Sequence, residues 1–225
     1  MNANTSRGET PLLLIGSKNY SSWSLRPWLF LRKAAFQFRE QLVYFDEPDY
    51  QAQIAALSPS RRVPLLIDNG VKIWDSLAIC EYAAESLNCG LPKDRAARAQ
   101  ARSVAAEMHS GFPTLRNDCP MNVRARNLLV PLTPQLAADI ARIDEIWSDC
   151  RQAYGGGGGW LFGEFSIADA MFAPVVFRFQ SYGAQLGSVS QSYMTHALAD
   201  PHMREWQEAA RVEGHPLPRV DQLGA

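Results

Sequence analysis

The span from Val63 to Ile79, Val63-Pro64-Leu65-Leu66-Ile67-Asp68 followed by Ile73-Trp74-Asp75-Ser76-Leu77-Ala78-Ile79, constrains the fold more than any other part of the chain. Pro64 closes the polar run Ser58-Pro59-Ser60-Arg61-Arg62 and opens an apolar one. It has no N–H to donate to a sheet, so it fits the start of a strand and not its middle. The context favours a cis peptide before Pro64. Asp68-Asn69-Gly70 supplies residues that tolerate positive φ between Pro64–Ile67 and Val71–Trp74, which predicts a hairpin. Asp75-Ser76 then precedes Leu77, Ile79, Cys80, Tyr82 and Ala83 at helical spacing. These two polar residues open a helix, where unpaired N–H groups and the helix dipole attract a carboxylate. For such a pair, capping is the simpler role.

The same spacing argument orders the rest of the chain. Leu12–Ile15 reads as a short buried strand, Leu25 to Ala35 as a helix capped by Ser24, and Phe38 to Phe45 as a second strand. Tyr50 to Leu57 reads as a short helix stopped by Ser58-Pro59, and the hairpin and the helix to Leu87 complete a βαβαββα order. Asn88-Cys89-Gly90-Leu91-Pro92 breaks the pattern. Beyond it no strand alternation is visible, and Ala96 to His109 and Gln135 to Arg151 are rich in helix formers. The expected organisation is therefore an α/β domain over 1–88 and an all-α domain over 93–225.

Gly155 to Gly159 reads as a flexible connection, because each glycine leaves the backbone nearly unrestrained. It is not a phosphate loop, since Trp160-Leu161-Phe162 follows where a Lys-Ser or Lys-Thr pair would be needed. Ser166 and Asp169 are spaced as a capping box, with Asp in place of Glu or Gln, and are expected to nucleate a helix, not to catalyse.

In these motifs the chain resembles the cytosolic glutathione transferases. The resemblance rests on Leu12–Ile15, the loop Asn19-Tyr20-Ser21-Ser22-Trp23-Ser24-Leu25-Arg26-Pro27-Trp28, the order Val-Pro, hairpin, Asp-Ser helix, and Phe165-Ser166-Ile167-Ala168-Asp169-Ala170. The loop is similar to the Ser-Ser-Cys-Ser-x-Arg loop of the zeta class, with Trp23 where that class has cysteine. It implies a thioredoxin-like N-terminal domain followed by an all-α C-terminal domain, and glutathione as co-substrate. Ser21 then matches the hydroxyl that activates the thiol, with Ser22 the next choice and Tyr20 an alternative donor. Arg26 either adds positive charge near a thiolate or pairs on the surface. Val63 would present its backbone to the cysteinyl part of the peptide, and Pro64 would fix that strand end. Asp75 and Ser76 would take the γ-glutamyl end, and Arg61 or Arg62 the glycyl carboxylate. Trp23 cannot form a mixed disulfide, which argues against thiol-reductase chemistry and weakens the match to the isomerase reaction of the zeta class.

Three functions are compatible with this resemblance. In the first, bound thiolate attacks a hydrophobic electrophilic small molecule, the chemistry of detoxification. In the second, glutathione serves as a transient nucleophile in a cis–trans isomerisation of the maleylacetoacetate type. In the third, the fold is a non-catalytic glutathione- or protein-binding module. The family is dimeric, so a homodimer is expected.

Composition bounds the remaining classes. Net charge is −1, which gives no long-range attraction to nucleic acid or an anionic membrane. Cys80, Cys89, Cys119 and Cys150 have no C-x-x-C spacing and read as reduced packing thiols of a cytoplasmic protein. Met1–Pro11 is polar, and Leu12–Ile15 is too short for a signal or membrane core. His109, His196, His202 and His215 are scattered without metal-ligand spacing, so no metal site is expected.

Overall fold

The computed structural model describes residues 9–223, so most of the polar segment Met1–Pro11 lies outside the described residues. Its first part is β1 (Leu12–Gly16), α1 (Ser22–Lys33), β2 (Arg39–Val43), α2 (Tyr50–Leu57), β3 (Leu65–Asp68), β4 (Val71–Ile73) and α3 (Ser76–Leu87). The sheet order is β2-β1-β3-β4, with β1 and β2 parallel and the other two pairings antiparallel. The parallel pair needs a crossover, which α1 provides. The hairpin closes through Asn69 and Gly70, both at positive φ, as the Asp68-Asn69-Gly70 signal requires.

Strand pleat divides the core in two. Leu13 and Ile15 join Leu66 and the α1 and α3 residues in a cluster that runs on into the helical part as far as Ala210. Leu14, Val43 and Leu65 face the other way and are covered by Ile54 of α2. Because successive side chains alternate faces, one run of four apolar residues serves both layers.

The second part is helical: α4 (Arg95–Ser110), α5 (Pro113–Asp118), α6 (Pro134–Tyr154), α7 (Ile167–Tyr182), α8 (Ser188–Ala199), α9 (Pro201–Val212) and α10 (Pro218–Asp221). Helix α7 is its axis, with Ile167 to Phe179 buried on all sides. Asp169 starts it by accepting hydrogen bonds from the Ser166 N–H (2.8 Å), the Ser166 hydroxyl (2.8 Å) and the Leu161 N–H (3.0 Å). Burial still pushes its carboxyl up to about 6.

Two expectations need correction here. The run Gly155 to Gly159 is a packed turn and not a loose connection. A Cβ at Gly158 would stand 2.2 Å from the Gly163 carbonyl oxygen, and one at Gly159 would meet the His196 ring at 2.2 Å. Arg151 clamps the turn by donating to the carbonyls of Gly158 and Trp160, each at 3.0 Å. Glycine is needed here for close approach, not for freedom. The second correction concerns α1, which begins at Ser22 with Ser21 as N-cap, three residues before the expected start. Ser24 is not the cap, because its Oγ accepts the Gly16 N–H at 3.1 Å and fastens the helix to the end of β1.

Candidate functional site

The loop between β1 and α1 is folded by its own backbone: the N–H groups of Tyr20 and Ser21 both donate to the Ser17 carbonyl, at 3.1 and 2.8 Å. This turn delivers Ser21 and Ser22, both buried, to the start of α1. The two hydroxyls have different partners. Ser21 donates to Ser24 Oγ at 2.7 Å. Ser22 Oγ accepts from Arg178 Nη2 at 3.3 Å, which leaves the Ser22 proton free for another acceptor. An arginine donor and the positive end of α1 both stabilise negative charge at this point.

Tyr20 is not available as a donor to a ligand. Its hydroxyl donates to the Asp221 carboxylate (2.8 and 2.9 Å) and accepts from Arg124 Nη2 (2.7 Å) and the Leu217 N–H (3.0 Å). Its side chain faces the C-terminal segment, and burial raises its pKa.

Arg26 lies one turn along α1 from Ser22 and is 1% exposed, so it is not a surface ion pair. Its guanidinium stacks on Trp23 at 4.3 Å, and its Nε and Nη1 have no hydrogen-bond partner among the described residues. Burial and repulsion from Arg116 and Arg178 hold its pKa well below the usual arginine value. Arg116 approaches Trp23 at 4.8 Å, so the indole packs against two cations. The Trp23 ring face thus meets positive charge from both α1 and α5.

The start of α3 is the second half of the site. Asp75 caps the helix by accepting the Leu77 N–H at 3.1 Å, and its other oxygen lies 3.0 Å from His109 Nε2 on α4. The imidazole edge meets the Trp23 ring at a centroid distance of 5.4 Å. Asp75, His109, Trp23 and Arg26 therefore form one continuous chain of contacts from α3 to α1. Next to Asp75, Ser76 is fully buried and its hydroxyl has no hydrogen-bond partner among the described residues. A buried unpaired hydroxyl costs stability, and such groups mark places where a polar ligand group would be accepted.

The peptide bond before Pro64 is cis, as the sequence favours, and the one between Trp74 and Asp75 is cis as well. Val63 lies two residues before β3, whose Leu65 pairs with Leu14 of β1. Val63 has no backbone hydrogen bond among the described residues, so its N–H and C=O are free to pair with an extended peptide. Arg61 and Arg62 are exposed on the preceding loop, and their guanidinium groups form no ion pair among the described residues. Sequence reasoning missed His109, Arg116 and Arg178, because each is remote in sequence and is brought in only by helix packing. Among the described residues no group of three or more His, Cys, Asp or Glu is placed to hold a metal ion.

A small mixed sheet flanked by helices, its Val-cis-Pro at the head of β3, joined to a bundle centred on α7, defines a thioredoxin-like domain followed by an all-helical one. The model of the glutathione S-transferase N-terminal domain matches residues 20–86, and that of the C-terminal domain matches residues 133–211. Together they cover well over half of the chain, which belongs to the glutathione S-transferase family. Among solved structures, the unclassified glutathione S-transferase 2 of Bombyx mori superposes with a TM-score of 0.71 at 19% identity, over 96% of this chain and 100% of that one. A glutathione transferase homologue from Burkholderia gl BGR1, with bound glutathione, superposes with a TM-score of 0.66 at 22% identity, over 91% and 100%. These likenesses establish the fold. A probable maleylacetoacetate isomerase of Caenorhabditis elegans is 29% identical over 111 residues, 48% of this chain and 51% of the relative. The match thus spans about half the length of that curated protein.

Proposed function

We propose that the protein is a glutathione transferase that holds glutathione between the starts of α1 and α3 as its thiolate, for attack on a hydrophobic electrophilic small molecule. The observation that carries this reading is the pair of unsatisfied hydroxyl functions at two helix N-termini. Ser22 has an arginine-polarised oxygen and a free proton, and Ser76 has a buried oxygen with no partner among the described residues. The bound glutathione in the Burkholderia homologue supports the choice of ligand.

In this reading Val63 pairs with the cysteinyl backbone and Pro64 sets its direction. Ser76 takes the γ-glutamyl carboxylate and Asp75 the γ-glutamyl amino group, in competition with His109. Arg61 or Arg62 reaches the glycyl carboxylate. A free thiol has a pKa of about 8.5, so only a few per cent is thiolate at neutral pH. Lowering it by two units requires roughly 2.7 kcal/mol of preferential thiolate stabilisation, within reach of one hydroxyl bond, a helix dipole and nearby guanidinium charge. Ser22 is the better placed donor; Ser21 serves if its proton turns from Ser24 to the sulfur. Arg26 adds positive potential from beneath. The thiolate, held against the electrophile, then reacts by proximity and desolvated nucleophilicity.

A second reading, glutathione-dependent cis–trans isomerisation, is favoured by the likeness to the C. elegans protein. Consumption separates the two: a transferase uses one glutathione per turnover and an isomerase regenerates it. A glutathione-consumption assay over a panel of electrophiles, with maleylacetoacetate-type diones included, is expected to show stoichiometric loss. Turnover of the dione with no loss would establish the isomerase instead, and no turnover of any substrate would leave a binding module. A cytoplasmic homodimer fits the four free thiols and the exposed apolar Val71, Trp74 and Leu87 on the β4–α3 side.

A further inference from the structure

Every backbone N–H of the serine loop from Lys18 to Ser22 has an acceptor, but the acceptors are of two kinds. Tyr20 and Ser21 donate to the Ser17 carbonyl and Ser22 to the Tyr20 carbonyl, all within the loop. Lys18 and Asn19 donate outside it. Successive N–H groups of a turn make an anion-binding concavity, and this one is filled by the carboxylate of Glu213: Oε1 accepts from Lys18 at 2.6 Å and Oε2 from Asn19 at 3.0 Å.

Glu213 is a costly residue to place there. It is buried, and its carboxylate forms no ion pair among the described residues. Lys18 Nζ pairs with Glu40 instead, and Arg124 donates to the Glu213 main-chain carbonyl and to Tyr20. Burial raises the Glu213 carboxyl above the usual glutamate value, against the pull of the two N–H groups, Lys18 and Arg124. Its neighbour Val212 is exposed, so at the end of α9 an apolar side chain faces water and a charged one faces inward. Hydrophobic packing favours the reverse, which leaves the two hydrogen bonds as the reason for the arrangement. Without the carboxylate both N–H groups lose their acceptor, and Asn19 is fully buried, out of reach of bulk water. Asn19 is also fixed by Asn122 Oδ1 and the Arg124 N–H, so the adjustment falls on the turn that follows, which carries Ser21 and Ser22.

We propose that Glu213 is a positioning residue for the bound thiolate: from beyond α9 it fills the paired N–H groups of the serine loop and so holds the Ser22 hydroxyl at the sulfur. The inference rests on the transferase reading. Glu213 touches neither glutathione nor the electrophile and acts only through the loop backbone.

The test compares wild type with Glu213→Gln, Glu213→Ala and Gly158→Ala, the last destabilised at a turn outside the loop. Two quantities are read: the ultraviolet thiolate absorbance of the glutathione-saturated protein against pH, and the calorimetric affinity for S-methylglutathione, which has no thiol. Glu213→Ala should move the thiol midpoint toward the free value of about 8.5 by about one unit, tenfold in the ionisation constant. Glu213→Gln, whose carbonyl accepts from only one of the two N–H groups, should move it by less. S-methylglutathione affinity should stay within about twofold of wild type in both, because the peptide is held at Val63, Asp75 and Ser76. Gly158→Ala should leave the midpoint in place. A depressed wild-type midpoint retained by both Glu213 variants would overturn the inference alone. So would an equal shift in Gly158→Ala, or a loss of S-methylglutathione affinity of about tenfold or more, which would make Glu213 a general support of the site. If Glu213→Ala does not fold, Glu213→Gln decides. A wild-type midpoint at the free value would overturn the transferase reading and this inference with it.

Discussion

At the scale of single residues, the position of one proton separates the two serines. Ser21 donates to Ser24, whereas Ser22 accepts from Arg178 and keeps its proton. Ser22→Ala is therefore expected to raise the pKa of bound glutathione toward about 8.5 and move the pH–rate profile alkaline, with glutathione affinity little changed. Ser21→Ala should have the smaller effect of the two. Tyr20→Phe should leave the profile in place, because that hydroxyl serves Asp221, Arg124 and Leu217; a shift as large as that of Ser22→Ala would reverse this assignment. Ser76→Ala should keep the fold and weaken glutathione binding by roughly 1–3 kcal/mol, the scale for losing a donor to a charged group, as read by calorimetry. Unchanged affinity would remove Ser76 from the site.

At the scale of elements, helix starts and tight turns do most of the positioning. Asp169 holds the start of α7, and its carboxyl titrates at about 6 against an unfolded value of 3.8. A group with a raised native pKa binds its proton more tightly folded than unfolded. Its contribution is therefore complete below about pH 4 and is lost as pH rises to about 6, by on the order of 2–3 kcal/mol. Denaturant unfolding of wild type and Asp169→Asn across this range should show the wild-type advantage shrinking with rising pH; an advantage that grows would contradict the buried-carboxyl account. Gly158→Ala should destabilise by about 1–3 kcal/mol or more, since the clash is with backbone, while Gly214→Ala, with open space around it, should be nearly neutral. Equal midpoints in urea for both variants would mean that the glycine turn is loose after all. What the sequence made legible was local: α2 spans Tyr50–Leu57 as read, the Asn69-Gly70 hairpin is present, and the Ser166–Asp169 spacing does start a helix. Serine suits both a cap and a tertiary acceptor, and only the neighbouring β1 end assigns Ser24 to the second role. The packed state of the glycine run is not legible in its composition, because its partners, Gly163 and His196, are set by packing.

At the scale of the whole molecule, the chain closes on itself around the serine loop. Glu213, beyond α9, accepts the N–H groups of Lys18 (2.6 Å) and Asn19 (3.0 Å), and Trp206 Nε1 donates to the Lys18 carbonyl (2.9 Å). The C-terminal segment thus braces the turn that presents Ser21 and Ser22. No periodicity in the sequence announces these contacts, nor those of His109 and Arg178, because they join positions more than thirty residues apart. Light scattering at micromolar concentration is expected to report about twice the 25.0 kDa chain mass, and a monomer that still binds glutathione would reject the homodimer. Binding of glutathione as its thiolate between the two helix starts is read in the ultraviolet thiolate absorbance of the glutathione-saturated protein, titrated against pH. The midpoint is expected well below the free value of about 8.5 in wild type, moving back toward it in Ser22→Ala. A wild-type midpoint at the free value, or no saturable glutathione signal at all, would contradict it.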